Sequence, residues 1–302
     1  MFSKIHQAAQ QIGEVLVGKH LQIRQTLACV LAGGHLLIED VPGVGKTTLA
    51  HALAISLGLQ WKRQQFTSDL LPADVAGMSV YDRGSGSFVF HPGPLFTQVL
   101  LADEINRATP KTQSGLLEAM EERQVTLDGV THALPQPFFV IATQNCAHQL
   151  GTFPLPESQL DRFLMCVTLG YPDAAAERAL LLGADRRAML QTLPAVMNAE
   201  ELLQAQAGLR AIHASPAIVD YVLALVHATR APGVFADGLS PRAALALLQA
   251  ARAWAALAGR DHVTPDDVQA VLLPVCAHRL HAAQGSADSR ALLQHMLLSI
   301  PV

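Results

Sequence analysis

One segment of the chain has the residue types and spacing needed to hold a phosphate group. Residues 36–48 read LLIEDVPGVGKTT, in which an apolar run is followed by a glycine-containing loop that ends in Lys46 and Thr47. Between a strand and a helix, successive backbone N–H groups of such a loop face a phosphate, and the helix N-terminus adds partial positive charge. The residues that this pattern assigns to phosphate binding are Gly43, Val44, Gly45, Lys46, Thr47 and Thr48.

Two side chains of this P-loop have separate chemical roles. Lys46 is expected to bridge the β- and γ-phosphates of a nucleotide, and the Thr47 hydroxyl to bind Mg²⁺. Asp40 stands where the motif has its first glycine, but the residues that touch phosphate come later in the loop and are intact.

A second segment, VLLADE over residues 99–104, places two carboxylates at the end of an apolar run of strand length. In a parallel sheet the carboxyl ends of the strands face the ligand crevice. Asp103 is expected to hold Mg²⁺ through water, and Glu104 to polarise a water for attack on the γ-phosphate. The sequence has no N-K-x-D segment of the kind that reads guanine, so ATP is the expected nucleotide.

The elements that must position these residues can be read from the apolar pattern. Strand-length runs occur at 35–39, 61–67, 99–102 and 138–143, with helical patterns between them, which favours a mostly parallel sheet buried on both faces. Two hairpins interrupt this order. The second of them, residues 124–133, turns at Asp128-Gly129, a pair that suits a type I′ turn.

The composition changes near residue 172, after which the chain is rich in Ala and Leu and poor in aromatic residues. We therefore expect an α/β protein with a three-layer αβα nucleotide-binding core at 1–172 and a small all-α lid of about five helices at 173–302. Helix-start signals support the second part. They are Asp173, Asn198 with Glu201, Ser240 before Pro241, and Thr264 before Pro265.

Composition also limits the function classes. The 302 residues are 50% apolar and carry a net charge of −4, which excludes a mainly disordered chain and an overall basic field for nucleic acid. The apolar runs are too short for a membrane span, and the first 20 residues lack the pattern of a signal peptide, so a cytoplasmic location is expected. The four cysteines never form CxxC, and no disulfide or zinc framework is expected.

With these motifs in place, the chain resembles the MoxR family of AAA+ ATPases from about residue 4 to about residue 280. The most specific stretch is ADEINRATPKTQSGLLEAMEERQVTLDG, residues 102–129. The resemblance implies a P-loop AAA+ core with both hairpins as insertions, a helical lid, and a homo-oligomer, a hexameric ring with ATP and Mg²⁺ at its subunit interfaces.

The resemblance also implies roles for single residues. Asn145 resembles sensor 1, which orients the attacking water. Arg162 resembles the arginine finger that enters a neighbour's site, and Arg242 resembles sensor 2, which extends from a lid helix onto the γ-phosphate. Val17 and Gly18 stand where the family has its adenine pocket.

Plainer interpretations stay open for several of these positions. Arg162 could pair on the surface with Glu157 or Asp161, and Arg107 could be a second interface arginine or the partner of a local acidic residue. Asn145 could be a turn residue at a strand end, and Val17-Gly18 an ordinary helix end. The residues after Asn145 differ from the Pro and acidic residues usual in relatives, which leaves the hydrolysis rate open; they include Cys146, His148 and Leu150.

For function, the resemblance implies ATP hydrolysis coupled to chaperone-like remodelling, maturation or metal-cofactor insertion of a client enzyme complex, with a partner that contains a von Willebrand factor A domain. Two alternatives are a DNA-acting AAA+ motor and a nucleotide-gated scaffold with little turnover. The acidic balance argues against the motor, and the intact P-loop and acidic pair argue against the scaffold.

Overall fold

Five parallel strands form the central sheet, in the order β2-β5-β8-β1-β9. The structure is a computed structural model that describes residues 2–145, 151–183, 185–283 and 288–301. Its strands are β1 (Leu36–Glu39), β2 (Trp61–Gln65), β3 (Gly77–Asp82), β4 (Ser87–Pro92), β5 (Val99–Asp103), β6 (Gln124–Leu127), β7 (Val130–Ala133), β8 (Phe139–Gln144) and β9 (Met165–Val167).

Helices cover both faces of this sheet and then form the C-terminal part. Those of the first part are α1 (Phe2–Val15), α2 (His20–Leu31), α3 (Lys46–Ser56), α4 (Pro72–Ala76), α5 (Pro110–Glu122) and α6 (Glu157–Leu160). Those that follow are α7 (Ala174–Leu182), α8 (Arg186–Thr192), α9 (Ala199–Gly208), α10 (Pro216–Thr229), α11 (Pro241–Leu257), α12 (Pro265–Cys276) and α13 (Ser289–Ser299).

Successive side chains of the sheet strands pack alternately into two apolar clusters, one on each face of the sheet. Leu36 and Ile38 of β1 pack with α1, α2, α3 and the C-terminal helices, whereas Leu37 packs with α4 and α5 on the opposite face. Because successive side chains of a strand point to opposite faces, strands that are apolar throughout require helices on both sides. The predicted α/β fold with three αβα layers and a helical C-terminal region is confirmed.

The differences from the sequence-based expectation concern short elements. Strand β9 has three residues, too few to show a pattern, yet all three are buried where it pairs with β1 at the sheet edge. The described residues after 173 form seven α-helices rather than about five, and α8 has only seven residues. The proposed boundary at residue 172 stays a prediction, since one apolar cluster joins α1–α3 to α9–α12.

The predicted helix starts and the second hairpin turn are confirmed. Asp173 caps α7 by accepting from the Ala176 N–H at 2.7 Å, and Ser240 caps α11 by accepting from the Ala243 N–H at 3.1 Å. Asp128 and Gly129 both have positive φ, 49° and 78°, as a type I′ turn requires. No helix in the described parts of the chain has the length and apolarity to cross a membrane.

Candidate functional site

The P-loop joins β1 to α3 and forms one wall of a cavity of about 320 Å³. Gly43 and Gly45 have φ of 85° and 101°, values that favour glycine, and α3 begins directly afterwards at Lys46. The Lys46 ammonium donates to the Asp40 carbonyl at 2.7 Å, within the loop itself. The P-loop residues that line the cavity are Gly43, Gly45, Lys46, Thr47 and Thr48, while the side chain of Val44 is buried in the apolar core.

Asp40, the departure from the motif, anchors the loop. Its Oδ1 accepts from the Val41 N–H at 2.8 Å, and its Oδ2 accepts from the Gly170 N–H at 2.6 Å, just beyond β9. The carboxylate is buried and satisfies two backbone donors, an arrangement that is costly to break. Asp40 therefore ties the start of the P-loop to the segment after the edge strand.

The acidic pair lies at the end of β5, across the cavity from the P-loop. Asp103 accepts from Arg63 Nε at 2.6 Å and from the Thr143 hydroxyl at 3.2 Å. Glu104 has a left-handed backbone, with φ 55°, and its Oε2 accepts from Arg107 Nη1 at 2.8 Å. Of the two interpretations of Arg107, the structure thus shows the local pair with an acidic neighbour.

Asn145 lies at the end of β8 and lines the same cavity as Lys46 and Glu104. Its Oδ1 atom is buried and has no hydrogen-bond partner among the described residues. A buried amide oxygen without a partner is costly, so a polar ligand in the cavity would relieve this cost. Cys146, His148 and Leu150 lie outside the described residues.

The residues expected to hold Mg²⁺ fit a hard cation. Thr47 and Asp103 supply oxygen donors and line one cavity, and oxygen ligands are what Mg²⁺ prefers beside nucleotide phosphates. Two basic groups, Arg63 and Lys46, line the cavity as well and suit the charge of a triphosphate.

Val17 and Gly18 lie beside the P-loop but do not line its cavity in the part of the chain described. The preceding Leu16 reaches Gly45, where an added Cβ would stand 2.8 Å from Leu16 Cδ1, and a Cβ on Gly18 would stand 2.8 Å from that of Ala176. Gly18 thus lies next to α7, and the assignment of Val17 and Gly18 to an adenine pocket stays a prediction.

Arg162 and Arg242 lie in a different place from the P-loop. Glu121 Oε2 lies 3.1 Å from Arg162 Nε, and Glu121 Oε1 accepts from Arg242 Nη2 at 2.9 Å. Among the described residues, Arg162 thus pairs with Glu121 rather than with Glu157 or Asp161. These groups border a second cavity of about 210 Å³.

The second cavity lies at the opposite end of the sheet. Its lining includes Gly33, Gly34 and His35, which precede β1, and Leu164, which precedes β9, whereas the P-loop follows β1. The four residues of β1 span roughly 13 Å at the usual rise per residue. The expectation that Arg242 extends from the lid onto the γ-phosphate is therefore not met within one chain, because α11 packs against α2 and α12 and starts at the amino edge of the strands.

His35 closes the inner side of this second cavity. Its Nδ1 accepts from the Val140 N–H at 3.0 Å, and its Nε2 donates to the Met120 carbonyl at 3.1 Å. Burial lowers the pKa of His35 to about 4, so the ring is neutral near pH 7 and joins β8 to α5.

Sequence reasoning missed four residues that the structure places in contact with candidate site residues. Asp40 looked like a flaw in a motif, and Arg63 lies in a polar run of β2 that has no motif of its own. Thr143 and Glu121 lie inside recognisable segments, but only their contacts in the folded chain show that they belong to the sites.

Comparison with known proteins places the chain in a family. The model of the ATPase family associated with various cellular activities matches residues 35–165, and that of the AAA lid domain matches residues 227–296. YeaC of Bacillus subtilis is 46% identical over 273 residues, covering 90% of this chain and 85% of YeaC. Chaperone MoxR1 of Mycobacterium tuberculosis is 39% identical over 287 residues, covering 91% of this chain and 75% of MoxR1.

A solved structure agrees with these sequence matches. The crystal structure of a candidate ATPase from Cytophaga hutchinsonii superposes with a TM-score of 0.90 at 34% identity, covering 99% of this chain and 95% of that one. From the fold, the P-loop cavity and these relatives together, the chain belongs to the MoxR family of AAA+ ATPases.

Proposed function

We propose that the chain hydrolyses ATP at the interfaces of a ring of identical subunits, six in number as in the family. In this arrangement each subunit supplies the P-loop and acidic pair to one nucleotide and the two arginines to the next. The observation that carries the proposal is the position of the P-loop cavity and the Arg162–Arg242 pair at opposite ends of β1. A single chain cannot bring both to one phosphate, but a head-to-tail neighbour can.

In the proposed reaction, backbone N–H groups of the P-loop and the Lys46 ammonium bind the phosphates, and Thr47 and Asp103 hold Mg²⁺. The chemistry that Mg²⁺ supplies when bound is neutralisation of charge on the β- and γ-phosphate oxygens. Arg63 donates to Asp103 at 2.6 Å and lines the same cavity, so it holds this carboxylate beside the proposed Mg²⁺ position.

Glu104 is the residue proposed to polarise the attacking water, with Asn145 orienting the same water from the next strand. Arg107 pairs with Glu104 Oε2 at 2.8 Å, so Oε1 is the oxygen that we propose accepts the proton of the water. An arginine at the γ-phosphate offsets the charge of the transition state, and such a group contributes about 10³–10⁵ to the rate in related reactions.

For the cellular role, we propose chaperone-like remodelling of a client, in which turnover moves the lid against the core. Maturation of an enzyme complex or insertion of its metal cofactor is the finer proposal, with a von Willebrand factor A domain protein as partner and the cytoplasm as location. One relative is itself named a chaperone. The β3–β4 hairpin offers a contact surface, since Tyr81 and Phe88 stack edge to face and are 54% and 72% exposed.

The test of the proposed reaction is Glu104→Gln. We expect unchanged ATP affinity by calorimetry and turnover reduced by about 10² or more in a phosphate-release assay, because only the water-activating group is lost. Undiminished turnover would contradict the mechanism. The same assay with DNA across a salt series tests the motor alternative, which requires a salt-sensitive stimulation that we do not expect.

A further inference from the structure

Glu121 connects the two arginines, which come from different parts of the molecule. It lies in the last turn of α5, while Arg162 follows α6 and Arg242 lies in the first turn of the lid helix α11. Each oxygen of the Glu121 carboxylate faces one guanidinium, Oε2 that of Arg162 at 3.1 Å and Oε1 that of Arg242 at 2.9 Å.

The other nearby acid is already engaged. Asp161 lies 2.7 Å from Arg279 Nε, and Arg279 also donates to the Phe163 carbonyl at 2.7 Å, so this nearly buried guanidinium fixes the backbone around Arg162. Asp161 Oδ2 stands 3.9 Å from Arg242 Nε, and Asp161 forms no ion pair with Arg162 in the described parts of the chain. In the described parts of the chain, Glu121 is the acid that the two arginines share.

The Glu121 bridge adds little to the free energy of unfolding, but it fixes the positions of the two guanidinium groups. The three side chains are partly exposed, and exposed ion pairs stabilise a protein by about 0–1 kcal/mol. Two neighbouring guanidiniums repel each other, however, and long side chains at a surface sample many rotamers. A carboxylate between them removes the repulsion and fixes their spacing before a second anion arrives.

We propose that Glu121 is a positioning residue, which holds Arg162 and Arg242 as a pair so that both meet the phosphates of the neighbouring subunit's nucleotide. The inference rests on the proposed function, because it assumes that these arginines act across the interface. The further claim is that Arg162 of the core and Arg242 of the lid bind the neighbour's phosphates as one unit. Glu121 holds them together without contacting the nucleotide of its own chain.

Glu121→Gln keeps the shape of the side chain and removes its charge. We expect kcat to fall about tenfold, which corresponds to a change of about 1.4 kcal/mol in the barrier, while ATP affinity and the melting temperature stay within error. Glu122→Gln is the matched control, since Glu122 is the next residue, is exposed, and has no ion pair among the described residues. On an Arg162→Ala background, Glu121→Gln is expected to have much less effect on kcat, because its target is gone.

Subunit mixing separates this role from a structural one. Lys46→Ala subunits are expected not to bind nucleotide, but they keep Glu121 and both arginines. In a mixture with excess Lys46→Ala subunits, the intact P-loop of a Glu121→Gln subunit meets correctly held arginines from its neighbour. Turnover per intact P-loop is therefore expected to rise toward the wild-type value. No recovery, or wild-type kcat for Glu121→Gln alone, would overturn the inference. Full turnover by Arg162→Ala would instead overturn the proposed function, so the two failures are distinguishable.

Discussion

The two ends of the central sheet are assembled in different ways. At the carboxyl end, the P-loop, the acidic pair and Asn145 follow neighbouring parallel strands, so the sheet register brings them together and local contacts such as those of Asp40 hold them there. At the amino end, the arginine cavity draws on segments around residues 34, 121, 162, 242 and 279, and its geometry depends on how the lid helices pack. The carboxyl end holds the residues that we propose bind the nucleotide, whereas the arginines of the amino end lie about the length of β1 away from them.

The largest expected effect is a split between binding and turnover. Lys46→Ala should abolish ATP binding, and with it turnover, because the loop loses the ammonium that faces the phosphates. Arg162→Ala should leave ATP affinity unchanged and lower kcat about 10³-fold, since the arginine acts only in the transition state. Calorimetry and phosphate release on both variants measure the split. A large loss of affinity in Arg162→Ala would erase the distinction between the two ends.

A smaller effect is expected from the anchor of the P-loop. Asp40→Ala leaves the Val41 and Gly170 N–H groups without their acceptor, so we expect a loss of about 1–3 kcal/mol in the free energy of unfolding and a weaker ATP affinity. Asp40→Asn keeps one acceptor oxygen and should lie between Asp40→Ala and wild type. Denaturant titration and calorimetry give the two values, and wild-type behaviour of Asp40→Ala would show that the anchor is dispensable.

Acid should weaken the amino end through its buried histidine. The pKa of His35 is lowered by burial to about 4, from about 6.5 in the unfolded chain. Between these two pH values the unfolded chain binds a proton at His35 that the folded chain does not. The stabilisation of the fold by neutral His35 is therefore complete above pH 6.5, and it decreases as the pH drops, by about 3 kcal/mol at pH 4.

Denaturant unfolding at several pH values tests this expectation, with His35→Asn as the comparison. The pH slope between 6.5 and 4 should be smaller in the variant by about 1.4 kcal/mol per pH unit. Buried His278, whose pKa is lowered by burial to about 3, contributes a similar slope to both proteins. An identical slope in variant and wild type would show that His35 titrates normally in the fold.

The smallest effect is expected from a position that belongs to neither end. Gly115 lies inside α5, and a Cβ added there would stand 3.9 Å from the Pro72 Cβ, an ordinary contact. Gly115→Ala should raise the free energy of unfolding by about 0.5–1 kcal/mol and leave turnover unchanged. A change in kcat would mean that α5 transmits strain to Glu121 at its end.

The same comparison explains what sequence could predict. The carboxyl-end residues sit in short motifs next to strands, and the strand pattern predicted β1, β2, β5 and β8 to within about two residues at each end. Capping residues such as Asn198 and Thr264 also marked helix starts correctly, because a cap acts within four residues. Local chemistry was enough for these features.

The amino end could not be predicted in this way. Arg162 and Glu121 are 41 positions apart and Arg242 is a further 80 away, and their meeting depends on the lid packing against α2 and β9. The resemblance indicated the arginines, but it carried no information on which edge of the sheet the lid would face and so did not show that Arg242 lies away from the P-loop of its own chain. Strand β9 was missed because three residues carry no periodicity.

The central claim is that one subunit's P-loop works with a neighbour's arginines, and mixing two impaired variants tests it directly. Arg162→Ala subunits keep the P-loop and Glu104, while Glu104→Gln subunits keep the arginines. We predict that a mixture hydrolyses ATP faster than the sum of the separate variants but slower than wild type, because only some interfaces combine both intact halves. Turnover no greater than that sum at every mixing ratio would contradict the account.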